Sequence, residues 1–353
     1  MIGGNITFPS LAINQSGSAA LSSFSGGITN SGTISASASL AVGIQVGGNV
    51  LNGAGAADNT GAVTISLFSG DINNSGTITG SSIGVEVGGS NFIAATADHL
   101  TITISTFSGN IINSGMISAL DAGVLVGGRV NSASVDGQGS ITISNFSGGI
   151  SNSGTITAGG AGIEVGGQAE AFLGATPLAA VTISTFSGGI ANSGTIFAGA
   201  AGIEIGGSVS PSGGAASTAS LTIVTFLGGI TNSGTISAGG PGILLGGIVN
   251  TGSLADGGLG TITILTFAGG ISNSGTITAG GAGIEIGGSV TSATGAGNSA
   301  SVTVSAFSGG IVNGGFISSG GAGIQVGGSA SVNTAAGTTA SVDISTFSGG
   351  ITN

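Results

Sequence analysis

Along Ile271–Gly288 the chain reads ISNSGTITAGGAGIEIGG, and its apolar side chains arrive singly, alternating with Ser, Thr, Asn, Glu or Gly. A period of two with frequent glycine is the pattern of strand. A helix would repeat its apolar positions every three or four residues, and each interior Gly would cost it about 1 kcal/mol. Four pieces recur in a fixed order. G-G-I-x-N-S-G-T-I-S predicts two short strands around an Asn-Ser-Gly corner, where Gly takes positive φ without steric cost. A-G-I-E-I-G-G predicts an alternating strand closed by a Gly-Gly bend. A variable stretch rich in Ser, Ala, Gly and Asn follows, as at 289–301. Last comes a second alternating strand, such as Val181–Phe186 (VTISTF).

The pieces repeat about every forty residues. Phe24, Phe68, Phe107, Phe146, Phe186, Phe226, Phe267, Phe307 and Phe347 keep the beat. So do Asn30, Asn74, Asn113, Asn152, Asn192, Asn232, Asn273 and Asn313 of the N-S-G or N-G-G element. Residues 1–353 therefore form one array of about eight units, with no second domain or linker. Both ends fall inside a repeat, so the expectation is a segment of a longer array, or one capped by neighbouring subunits.

Parallel strands stacked into an all-β solenoid are the reading that fits. Equivalent positions of successive coils then sit about 4.8 Å apart and form ladders of like on like. Ile and Val ladders fill the interior, the Phe column stacks, and the Asn column passes amide hydrogen bonds from coil to coil. No second N-S-G element lies halfway through a unit, so the sequence predicts one large coil per repeat.

One further column stands out. In G-I-E-I-G the two Ile point to one face and Glu to the other. Down the array this position reads Gln45, Glu86, Leu125, Glu164, Glu204, Leu244, Glu285 and Gln325. A catalytic acid would not be exchanged for Leu twice and Gln twice. The expectation is a solvent-facing or interface column belonging to the architecture, with a cation or subunit-contact row as the sharper alternative.

Composition narrows the function classes. Glycine accounts for 77 of 353 residues, charged residues for 4%, and Trp, Tyr and Cys are absent. Twelve acids face one base, Arg129, giving a net charge of −11. No nucleic acid is expected as a partner, because phosphate binding needs clustered Lys and Arg. No run of eighteen apolar residues exists, so no membrane insertion of this segment is expected. Met1-Ile-Gly-Gly has neither a basic nor an apolar leader region. Zero cysteine fits a secreted protein and many cytosolic ones alike.

Chemistry is sparse. His99 is the only histidine and sits in a variable stretch, which makes a poor metal site and reads as a surface loop residue. Acid/base chemistry needs convergent acids and bases, which one Arg cannot supply. Gly-rich phosphate loops and the calcium-binding nonapeptide are absent. The expectation is no enzyme, no cofactor and no metal.

The I-x-N-S-G-T-I element followed by G-I-x-V-G-G resembles the β-solenoid passenger regions of bacterial autotransporters and related surface adhesins or fibre proteins. The resemblance runs from Gly26-Gly27-Ile28-Thr29-Asn30-Ser31-Gly32-Thr33-Ile34 to the variant Gly309–Ile317. It implies an exported, extracellular or cell-surface protein used as adhesin, fibre or matrix. Two features of that class, the export signal and the C-terminal outer-membrane barrel, are missing from the sequence.

The leading functional expectation is a secreted structural repeat that self-associates end to end into an extracellular filament or surface fibre. The alternative is an adhesin whose variable stretches contact glycans or host surfaces. Ice binding ranks third: Thr-x-Thr occurs at Thr77–Thr79, Thr155–Thr157 and Thr261–Thr263, but other repeats break the array.

Overall fold

The computed structural model describes residues 2–8, 16–52, 60–93, 99–132, 137–172, 177–212, 217–251, 257–292, 296–332 and 335–353. Among these the regular structure is entirely β. All strand pairs are parallel, and each joins a residue to its counterpart one repeat further on. Phe107 pairs with Phe68 and Phe146, and Phe146 in turn with Phe186. Asn152 lies directly opposite Asn192 in the neighbouring strand. Forty residues therefore make one coil, and the chain is a parallel β-solenoid.

Four sheets run the length of the array. One coil shows how they are laid down. Leu178–Phe186 belongs to a nine-stranded sheet, and Gly189–Asn192 to a second sheet of nine short strands. After the Asn192-Ser193-Gly194 corner, Thr195–Ala198 joins an eight-stranded sheet. Ile203–Ile205 and Ser208–Ser212 then enter a fifteen-stranded sheet from either side of Gly206-Gly207. Two early coils lack this break, because Val42–Asn52 and Ile83–Ile93 each run as one eleven-residue strand.

Alternation decides what lies inside. Val181, Ile183 and Phe186 are buried, while Thr182 between them is half-buried on the outer surface. With Ile190, Ile196, Ile203 and Ile205 from the other sheets they form one continuous core along the axis. Each fully buried side chain of this size stabilises the fold by roughly 1.5–3 kcal/mol.

Two columns tie the coils together more specifically. The nine phenylalanine rings stack in an unbroken row, with centroids 4.6–5.1 Å apart and near-parallel planes. The asparagine amides form a continuous relay. Asn152 Nδ2 donates to Asn192 Oδ1 at 2.8 Å, and Asn192 Nδ2 to Asn232 Oδ1 at the same distance. Asn152 Nδ2 also reaches the Gly154 and Thr195 carbonyls at 3.3 Å, so the buried amide is satisfied by its own corner and the next coil. Burying an amide without such partners would cost about 1–3 kcal/mol.

The Thr-x-Thr triplets divide between two sheets. Thr77–Thr79 and Thr155–Thr157 lie on the eight-stranded sheet, and Thr261–Thr263 on a nine-stranded one. Exposed Met116 and Phe197 interrupt the first set. The centres of the variable stretches, where the adhesin reading places its contacts, fall outside the described residues.

Glycine is required where each Phe column meets the following turn. A Cβ on Gly188 would fall inside 3.0 Å of both the Gly148 carbonyl and the Phe146 ring one coil below. By contrast, a Cβ on Gly314 would meet nothing within 4 Å. Gly188→Ala should therefore lower stability by about 1–3 kcal/mol through overpacking, while Gly314→Ala should be close to neutral. Thermal or denaturant unfolding of the two variants provides the check; equal midpoints would mean that the coils are not packed this tightly.

A buried acidic crease as the candidate functional site

The three-residue strands Ile163–Val165 and Ile203–Ile205 are buried at every position. Their branched side chains enter the main core, which leaves Glu on the opposite face. That face was expected to meet solvent or an interface, and the structure corrects the solvent-facing half of the expectation. Glu86 is fully buried, Glu164 and Glu204 are 3% and 5% exposed, and Gln45 and Glu285 are buried as well. Gln325 is half-buried.

The cause is the Gly-Gly bend. Gly166 and Gly167 adopt φ of 143° and 91°, and Gly127 and Gly128 of 132° and 84°, a conformation that side-chain-bearing residues avoid. In two coils the residue four places after the column position reaches back to the column itself. Gln45 Nε2 donates to Asn49 Oδ1 at 2.7 Å, and Gln168 Nε2 to Glu164 Oε2 at 3.4 Å. The amides of Gly89 and Gly167 hydrogen-bond Glu86 and Glu164. From the other side Leu125 packs with Ile83, Ala122 and Val42 in a small apolar cluster of its own. The column thus lies in a crease roofed by its own chain.

Inside the crease the sequence of the column has electrostatic meaning. Leu125 separates Glu86 from Glu164, and Leu244 separates Glu204 from Glu285, each acid pair standing two strand spacings apart. Only Glu164 and Glu204 are directly paired. Oε1 of Glu86, Glu164 and Glu204 is buried without a hydrogen-bond partner. Glu86 is additionally held by Gln45 Nε2 from the coil below, at 2.9 Å.

Arg129 occupies the roof position of the Leu125 coil. Its Nη1 donates to Ser82 Oγ at 2.7 Å and it forms an ion pair with Asp121. Glu86, Glu164 and Glu170 also act on it electrostatically, so one guanidinium serves acids from several coils. Sequence reasoning gave Arg129 no role. Its signal was available all the same: it stands four residues after the column's first leucine, between two coils that carry Glu.

Burial sets the proton affinity of the column. It pushes Glu86 up to about 7, against the opposing effects of Arg129, Gln45 and the Gly89 amide. Glu164 is raised by burial, opposed by Gln168, Arg129 and Gly167. Glu204 is raised by burial and further by the Glu164 charge, with no compensating partner. Glu285 is raised by burial alone.

His99 is exposed, at the first position of His99–Phe107, in register with Thr60 and Gln138. Among the described residues no group of three or more His, Asp or Glu converges as a metal ligand set, and no helix is long and apolar enough to cross a membrane. The Phe and Asn columns are internal ladders. What the crease can do chemically is hold and release protons. No protein-family model matches the chain, and no curated protein and no solved structure matches it.

The crease makes stability depend on pH. An unfolded glutamate releases its proton near 4.5, whereas folded Glu86 keeps it until about 7. Between these values the unfolded chain binds fewer protons, so stability falls as pH rises. Below about 4.5 both states are protonated and the full stability is present. For Glu86 the loss is on the order of 3 kcal/mol by pH 8. Denaturation midpoints should accordingly be higher at pH 4.5 than at pH 8, and Glu204→Gln should raise the pH 8 value selectively. A midpoint that rises across this window would show that the column is not buried.

Proposed function

We propose that the chain is a non-catalytic structural β-solenoid that associates end to end into an extracellular filament or surface fibre. The observation that carries this reading is the identity of the coils' upper and lower surfaces. Every coil presents to the next the same strand register and the same Phe, Asn and Ile columns. Val342, Phe347 and Ile351 continue the columns of Val302, Phe307 and Ile311 in the same register. A strand edge in this register pairs with any strand that matches it. A second copy matches it best, and head-to-tail stacking of one surface on its complement does not close, so it yields fibres.

Composition supports the same reading. With charged residues at 4% of the chain, little resists stacking along the axis, and a net charge of −11 discourages lateral clumping. Secretion is the corresponding proposal for location, drawn from the resemblance to surface-exposed solenoids, and the reading calls for no cofactor.

Sedimentation velocity over a range of concentrations, combined with negative-stain microscopy, tests the proposal. The chain should form rods that lengthen with concentration. Replacing Phe347 and Ile351 together by Asp should leave single short particles with unchanged β-sheet circular dichroism. A chain that stays monomeric at high concentration, or a double variant that still forms rods, contradicts end-to-end assembly.

A further inference from the structure

The repeats are near copies of one another, so departures from the common pattern mark places where something other than stacking is being served. Several departures that lie far apart in sequence meet in space. The outward column through Leu51, Phe92, Asn131, Glu170 and Ser210 is in register across five coils. Leu51 and Phe92 are large and apolar, at 37% and 41% exposure, where the equivalent positions of other coils carry Thr7, Ser210, Asn250, Thr291 and Ser331. The two eleven-residue strands that bear them are the ones that do not break at Gly-Gly. Arg129, the single base of the chain, is on the coil next to Phe92.

Leu51, Phe92, Arg129, Asn131 and Glu170 line an open groove of about 580 Å³ beside the roof of the acidic crease. That volume is in the range of small-molecule sites. Apolar surface from Leu51 and Phe92 forms part of the wall, and Arg129, Asn131, Gln168 and Glu170 supply the polar groups. Asn131 Nδ2 donates to Glu170 Oε2 at 2.7 Å, which leaves Asn131 Oδ1 buried without a partner. Arg129 Nε is buried without one too. Unsatisfied buried polar atoms carry a desolvation cost, and a ligand that supplies a donor to one and an acceptor to the other removes it.

The charges around the groove define the ligand's class. Arg129 already faces Asp121, Glu86, Glu164 and Glu170. A further anion would meet four carboxyl groups, and a cation would meet the guanidinium itself. The complement is an uncharged molecule whose groups both donate and accept, with one apolar face for Phe92 and Leu51. Hydroxyl groups on a carbon ring have this character.

We propose that the groove lined by Leu51, Phe92, Arg129, Asn131, Gln168 and Glu170 is a binding site for neutral saccharides, with Phe92 as the platform for a sugar ring. The site requires only the folded array and is independent of whether copies assemble end to end.

The test is a printed array of neutral and acidic glycans probed with the full chain, followed by titration calorimetry on the best neutral glycan found. Binding should be confined to neutral glycans. Phe92→Ala and Asn131→Ala should each weaken it about 10-fold or more, the loss of one good contact. Phe197→Ala, which removes an exposed phenylalanine from a different sheet, should leave it unchanged. Phe92 lies at the surface, so its variant should keep the wild-type circular dichroism; if it does not, Asn131→Ala decides. No glycan bound, binding restricted to acidic glycans, or affinity that survives both groove substitutions would overturn the proposal.

Discussion

Everything in this molecule follows from parallel pairing between consecutive coils. Once the amides of one coil bond the carbonyls of the one before, equivalent side chains lie about 4.8 Å apart. Each position must then tolerate a copy of itself at that distance. Phenylalanine does so by stacking, with centroids 4.6–5.1 Å apart. Asparagine does so by relaying one amide hydrogen bond per step. Glycine at the turn after Phe is dictated by the same spacing, because the coil below already fills the place of a Cβ.

Carboxylates are the residues this spacing penalises most, and the acidic crease shows how the penalty is distributed. Leu125 and Leu244 act as spacers that hold most acids two coils apart, and Arg129 serves Glu86 and Glu164 from the coil between them. Where two acids do stack, at Glu164 and Glu204, burial and mutual repulsion raise proton affinity together. A column that holds its protons through mildly acidic pH is one whose members can stack without repelling.

Much of this was legible in the sequence, because a ladder writes itself as periodicity. The forty-residue beat of Phe and Asn specifies coil size and register, and the alternation in VTISTF specifies which face is inside. The environment of the glutamates was not legible. Alternation tells that Glu164 and Ile163 point to opposite sides of a strand, but not that Gly166-Gly167 turns the chain so that Gln168 reaches back to Glu164. The groove was hidden for a similar reason. Leu51, Phe92 and Asn131 are spread over three repeats in sequence, and only the in-register sheet brings them side by side. Arg129 looked like an isolated charge until its neighbours in the adjacent coils were placed.

Because the chain has no cysteine, two can be introduced for spin labels without background. Thr142 and Thr303 stand on the outer face of one sheet, in the column Thr142, Thr182, Thr222, Thr263 and Thr303. Four steps of one coil each place their backbones ~19 Å apart. Double electron–electron resonance between labels at these positions measures that separation directly. A distance distribution centred near ~20 Å, widened by the label linkers, is the expected result for one coil per repeat. A distribution centred near ~38 Å, the value for two coils per repeat, would contradict the stacking on which the ladders, the crease and the groove all depend.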